Sequence, residues 1–126
     1  MGQRILLVED DDEAREVLRL ALEAEGYHVD VAGNGAAALN CLQTELRPGL
    51  ILADLMMPDV DGWDFLRFLA ADERFAAIPV VLITGWFGDL PPGYPVLKKP
   101  FDLPEVLAII RKYVGVPASP APRPGP

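Results

Sequence analysis

The chain has 126 residues, 51% of them hydrophobic, which is enough for one domain with its own core and no need of staples. Its net charge of −8 argues against binding nucleic acid by general electrostatics, because phosphate backbones call for a basic stripe. The single cysteine, Cys41, excludes an internal disulfide and fits a reducing cytoplasm.

The opening, MGQRILLVEDD, does not read as a signal peptide, since its apolar run is short and acids follow at once. Leu6 stands where a myristoylation signal asks for a small hydroxyl residue. No apolar run approaches the roughly 20 residues of a membrane span. The first strand is expected at 4–8, RILLV. Five consecutive acids follow it, Glu9 to Glu13, and like charges so crowded call for a positive partner. The next stretch carries helical spacing, with Val17, Leu18, Ala21, Leu22 and Ala24 on one broad face and Gly26 as its stop. Asp11, Asp12 and Glu13 read as first-turn acids that favour the helix dipole.

A second strand is expected at 28–32, HVDVA, with the lone His28 at the surface. A helix capped by Asn34 follows, its apolar side made by Ala38, Leu39, Leu42 and Leu46. Cys41 reads as a small apolar residue packed on that helix. LILAD at 50–54 is the third strand. Asp61–Gly62 leads into a helix carrying Trp63, Phe65, Leu66 and Leu69. The fourth strand is PVVLIT, 79–84, and the fifth is PVLKK, 95–99. Between these two lies GWFGDLPPGY, whose glycines and prolines leave no room for a normal helix. The last helix begins with Asp102 as N-cap and Pro104 in the first turn, then Val106, Leu107, Ile110 and Val114. The end, 116–126, is rich in proline, alanine and glycine and reads as a disordered or extended tail.

Alternating strands and helices imply the α/β class: a five-stranded parallel sheet, doubly wound, with one crossover helix shortened or missing. Continuous apolar strands fit burial on both faces. Ligands of such sheets bind at the carboxyl ends of the strands. The polar residues there are Glu9 and Asp10 after strand one, Asp54 at strand three, Thr84 at strand four and Lys99 at strand five. Three carboxylates, a hydroxyl and an ammonium converge on one edge. Hard oxygen ligands facing solvent suit Mg²⁺, and with Lys99 it would supply the missing positive charge. Lys98 is expected to point away from the pocket, because strand neighbours face opposite ways.

The acidic pair, DLMMPDVDG around strand three, Thr after strand four and KPF after strand five stand in one order that resembles the receiver domain of two-component response regulators. The resemblance covers about residues 3 to 115, and the receiver is taken as 1–115. It implies a flavodoxin-like, CheY-like fold. It implies that Asp54 accepts a phosphoryl group from the phosphohistidine of a histidine kinase or histidine phosphotransfer protein. Asp10 and Asp54 would bind Mg²⁺ directly, together with the backbone carbonyl of Met56, and Glu9 would act on the metal through water. Thr84 would hydrogen-bond one phosphoryl oxygen and Lys99 would pair with another. The chain would then be a signalling phosphoacceptor rather than an enzyme, acting on a downstream protein target.

Two features depart from the family pattern. The aromatic that usually switches with the Thr is Val96 here, with Tyr94 two residues earlier, so the loop 85–95 is expected to carry the signal instead. Met56 and Trp86, which would flank the hydrolytic water, are bulky and cannot act as bases, so a slow self-dephosphorylation is expected. No DNA-binding segment follows Val114, and the expectation is a stand-alone regulator or the amino-terminal part of a longer one. Two other classes compete with this reading. A haloacid-dehalogenase-like phosphohydrolase needs an acid where Met56 stands. A degenerate binding module on the same fold would have lost Asp54, Thr84 or Lys99, and all three are present.

Overall fold

The computed structural model describes residues 4–44, 47–55, 62–85 and 90–115. Its elements alternate in the order β1 (Arg4–Val8), α1 (Asp12–Ala24), β2 (His28–Ala32), α2 (Gly35–Leu42), β3 (Leu50–Asp54), α3 (Gly62–Ala71), β4 (Val80–Thr84), β5 (Val96–Lys98) and α4 (Leu103–Val114). The five strands form one parallel sheet in the order β2-β1-β3-β4-β5. The expected strands fall where the apolar runs stand. β4 and β5 start one residue late because Pro79 and Pro95 have no N–H, yet their carbonyls still accept from Ile51 and Leu82 at 2.9 Å each.

Period-two alternation divides the core. Ile5 and Leu7 of β1 face α1 and α4, packing with Leu18, Leu22, Val106 and Ile110. Leu6 and Val8 face α2 and α3, packing with Ala38, Leu42, Phe65 and Leu69. β3 and β4 are buried at every residue, as central parallel strands should be. β2 is not: it is an edge strand, and only Ala32 is fully buried. The expectation of a buried second strand fails because pairing on one side leaves its other edge to solvent.

Local chemistry starts α2 and α4 where expected, while α2 ends at Leu42, short of the expected Leu46. The Asp11 side chain accepts from the Ala14 N–H, Asn34 from Ala37, and Asp102 forms a reciprocal capping box with Glu105. Gly26 follows α1 with φ of 97°, a conformation that favours glycine. The broad face foreseen on α1 is narrower than its apolar residues suggest. Leu18 and Leu22 are buried, while Val17 is 61% exposed and Ala24 is exposed, so the buried stripe is one i, i+4 row. Leu46 and the tail 116–126 lie outside the described residues.

Among the described residues, the β4–β5 connection contains no helix. Leu90, Tyr94 and Val96 instead lay their side chains on the α2–α3 core. At the other end of the site, Gly62 brings α3 against the end of β3. Its N–H donates to the Leu55 carbonyl at 2.9 Å, and a Cβ there would lie 2.5 Å from Leu55 Cα and O. Only glycine permits that approach.

Candidate functional site

In a sheet ordered β2-β1-β3-β4-β5, the chain leaves β1 toward one side and returns to β3 on the other. The strand ends diverge there and leave a crevice. Glu9 and Asp10 follow β1 at that point, and Asp54 closes β3. Asp54 pairs in register with Ile83, so Thr84 lies one residue further along β4. Lys99 follows β5, and its N–H donates to the Thr84 carbonyl at 2.8 Å. The Lys99–Pro100 peptide bond is cis.

The side chains meet as their positions require. Lys99 Nζ donates to Glu9 Oε1 at 2.7 Å and to Asp54 Oδ2 at 2.9 Å. Glu9, Asp54 and Thr84 are buried, and Asp10 is exposed. Burial raises the Glu9 carboxyl from its ordinary 4.5 to about 7; Asp54 adds to the rise and Lys99 opposes it. Burial works to lower the Lys99 pKa, but its hydrogen bonds and charge interactions with Glu9 and Asp54 outweigh it, and the net shift is upward. One oxygen stands apart: Glu9 Oε2 is buried and makes no hydrogen bond among the described residues. A buried carboxylate oxygen without a partner is costly and expects a cation or a proton.

Glu9, Asp10 and Asp54 can each offer one oxygen, and these oxygens lie within 4.8 Å of one another. The cluster could therefore hold a metal ion, and its all-oxygen donor set suits a hard one. Beside it, a groove of about 770 Å³ runs between α1 and the start of α4, with Val17, Leu18, Phe101, Leu103 and Val106 among its walls.

The five sequence-nominated residues with described positions, Glu9, Asp10, Asp54, Thr84 and Lys99, come to this one edge. Met56, Asp59, Asp61 and Trp86 lie outside the described residues. Lys98 is exposed, and Phe101 packs against the α1–α4 core. His28 is exposed at the start of the edge strand. Sequence reasoning missed Arg15, whose Nη1 donates to the Glu9 carbonyl oxygen at 2.9 Å. Its signal was present: it is the first cation after five acids, one turn into the helix they cap.

The profile of the response regulator receiver domain matches residues 5–90. Response regulator Rre1 of Synechocystis sp. is 44% identical over 115 residues, covering 85% of this chain and 49% of that protein. The DNA-binding dual master transcriptional regulator RpaA of the same organism is 39% identical over 115 residues, covering 86% and 47%. The chain thus spans about half the length of these curated relatives. The receiver domain of sensor histidine kinase PA1611 from Pseudomonas aeruginosa, solved with a magnesium ion coordinated in its active-site cleft, superposes with a TM-score of 0.82 at 31% identity. That match covers 91% of this chain and 99% of that one. A degenerate module is not favoured, since the acids, Thr84 and Lys99 stand together at the strand ends. No helix of the described residues is long and apolar enough to cross a membrane. The chain belongs to the response regulator receiver domains of two-component signalling.

Proposed function

We propose that Asp54 is the phosphoryl acceptor of this receiver and that Mg²⁺ is its cofactor. The observation that carries this is Lys99 bridging Asp54 and Glu9 while Glu9 Oε2 has no partner among the described residues. Glu9, Asp10 and Asp54, with the Met56 carbonyl, are the groups to hold the cation. When bound, Mg²⁺ neutralises charge on the phosphoryl oxygens during transfer.

The chain's own residues do the rest. An Asp54 carboxylate oxygen attacks phosphorus in line; the new O–P bond forms as the P–N bond of the donor phosphohistidine breaks, and the imidazole leaves with the electron pair. Lys99 releases one of its carboxylate partners and pairs with a phosphoryl oxygen. Thr84, buried one residue beyond the register partner of Asp54, donates its hydroxyl to another. The donor is a histidine kinase or a histidine phosphotransfer protein, and the output is contact with a downstream protein. The phosphoryl group carries roughly −1.5 to −2 of charge in place of the Asp54 carboxylate's own −1, so this edge gains about −1 at most, which the loop at 85–95 then senses through Thr84.

The test is intact-protein mass after incubation with acetyl phosphate, with Mg²⁺ or with chelator, for the wild type and for Asp54→Asn. One Mg²⁺-dependent phosphate adduct, absent from the variant, is expected. An adduct that persists in Asp54→Asn would move the acceptor elsewhere.

A further inference from the structure

Arg15 lies one turn into α1, yet its side chain turns back to the site. Nη1 donates to the Glu9 carbonyl oxygen at 2.9 Å, and Nη2 pairs with Asp12. The side chain is 22% exposed. Gly33, in the β2–α2 loop, makes room for it: a Cβ there would stand 3.3 Å from Nη1.

The Glu9 peptide is therefore held from both sides. Its N–H donates to the Ala32 carbonyl of β2 at 3.0 Å, extending the ladder beyond β1, and its carbonyl takes the guanidinium. Only Glu9 and Asp10 separate the last residue of β1 from the N-cap Asp11. Two carboxylates of the three-acid cluster thus stand on a two-residue bridge whose geometry this bond pins. A guanidinium bonded to the Glu9 carbonyl also repels an incoming cation, so charge alone gives no reason for it to aid cation binding.

Building on the cation site proposed above, we infer that Arg15 is a positioning residue for it: by holding the Glu9 carbonyl, its guanidinium aims the Glu9 and Asp10 carboxylates at one point. Hydrogen-bond partners that orient metal ligands commonly change affinity by tenfold or more when removed. The two effects of Arg15 on Mg²⁺ have opposite signs. Removing its charge should tighten the ion, and removing its hydrogen bond should loosen it.

The experiment is calorimetric titration of the full chain with Mg²⁺ alone, without a phosphoryl donor, on the wild type, Arg15→Met and Arg15→Lys. Urea midpoints are recorded alongside, to show that each variant is folded. Arg15→Met is expected to weaken Mg²⁺ roughly tenfold. Arg15→Lys is expected to recover part of the loss, since an ammonium can reach the carbonyl but cannot pair Asp12 at the same time. Affinity in Arg15→Met equal to or tighter than wild type overturns the inference while leaving the cation site intact. A wild type that binds no Mg²⁺ overturns both. If Arg15→Met does not fold, Arg15→Gln, too short to reach the carbonyl, is titrated and read the same way.

Discussion

Lys99 Nζ donates to Glu9 Oε1 at 2.7 Å, joining residues 90 positions apart, while the other oxygen of the same carboxylate has no partner among the described residues. One ammonium thus neutralises part of a three-acid cluster and leaves the remainder for a cation.

Glu9 sets a pH dependence in the metal-free protein. Its carboxyl is raised from 4.5 to about 7, so between these values the folded state holds a proton that the unfolded state has released. Stability from this group therefore falls as pH rises through that window and is lowest above pH 7. Glu9→Gln removes the penalty. In chelator, urea unfolding at pH 5 and pH 8 should show the variant gaining on wild type by about 2 kcal/mol across the interval. A gap that does not widen with pH would mean that Glu9 ionises normally.

On the proposed mechanism, Lys99 both competes with the cation and serves the transfer. Lys99→Met should tighten Mg²⁺ severalfold, because a positive charge 2.9 Å from Asp54 is gone. It should also slow phosphorylation by acetyl phosphate by roughly two orders of magnitude, the usual cost of losing a charge-stabilising donor. Titration and adduct formation measured on one preparation separate the two effects.

Gly62 bears on stability beside Asp54. A Cβ at 2.5 Å from the Leu55 backbone cannot be relieved by a side-chain rotation. Gly62→Ala should cost about 3 kcal/mol, visible as a lowered urea midpoint. An unchanged midpoint would show that the end of β3 yields easily.

Tyr27 offers a contrast. It is buried, and its hydroxyl donates to the Gly115 carbonyl at 2.7 Å, tying the start of β2 to the end of α4. Tyr27→Phe should lower stability by about 1 kcal/mol. It should leave the Mg²⁺ affinity and phosphorylation at wild-type values, since it precedes β2 and the acidic cluster lies at the opposite, carboxyl ends of the strands.

Much of this was legible in the chain. Strand positions followed from short apolar runs, and two helix starts from Asn34 and Asp102, because pairing period and capping act within a few residues. The five residues of the edge were named from their place after each strand, since the parallel order carries every carboxyl end to one side. Other features were not local. Val17 is as apolar as Leu18, and only the position of α4 leaves it at a groove while Leu18 is buried. HVDVA has the composition of an inner strand, and only the order β2-β1-β3-β4-β5 puts it at the edge.

By itself, the sequence determined the α/β alternation and the identity of the acids, hydroxyl and lysine, because each is written in residue type and spacing. Tertiary structure alone decided what those groups do to one another. Burial of Glu9 raises its pKa, Lys99 reaches across from β5 to bridge two carboxylates, and Arg15 turns back to hold the Glu9 carbonyl. Charge interactions depend on distance and desolvation, and those exist only once the strands have been laid side by side.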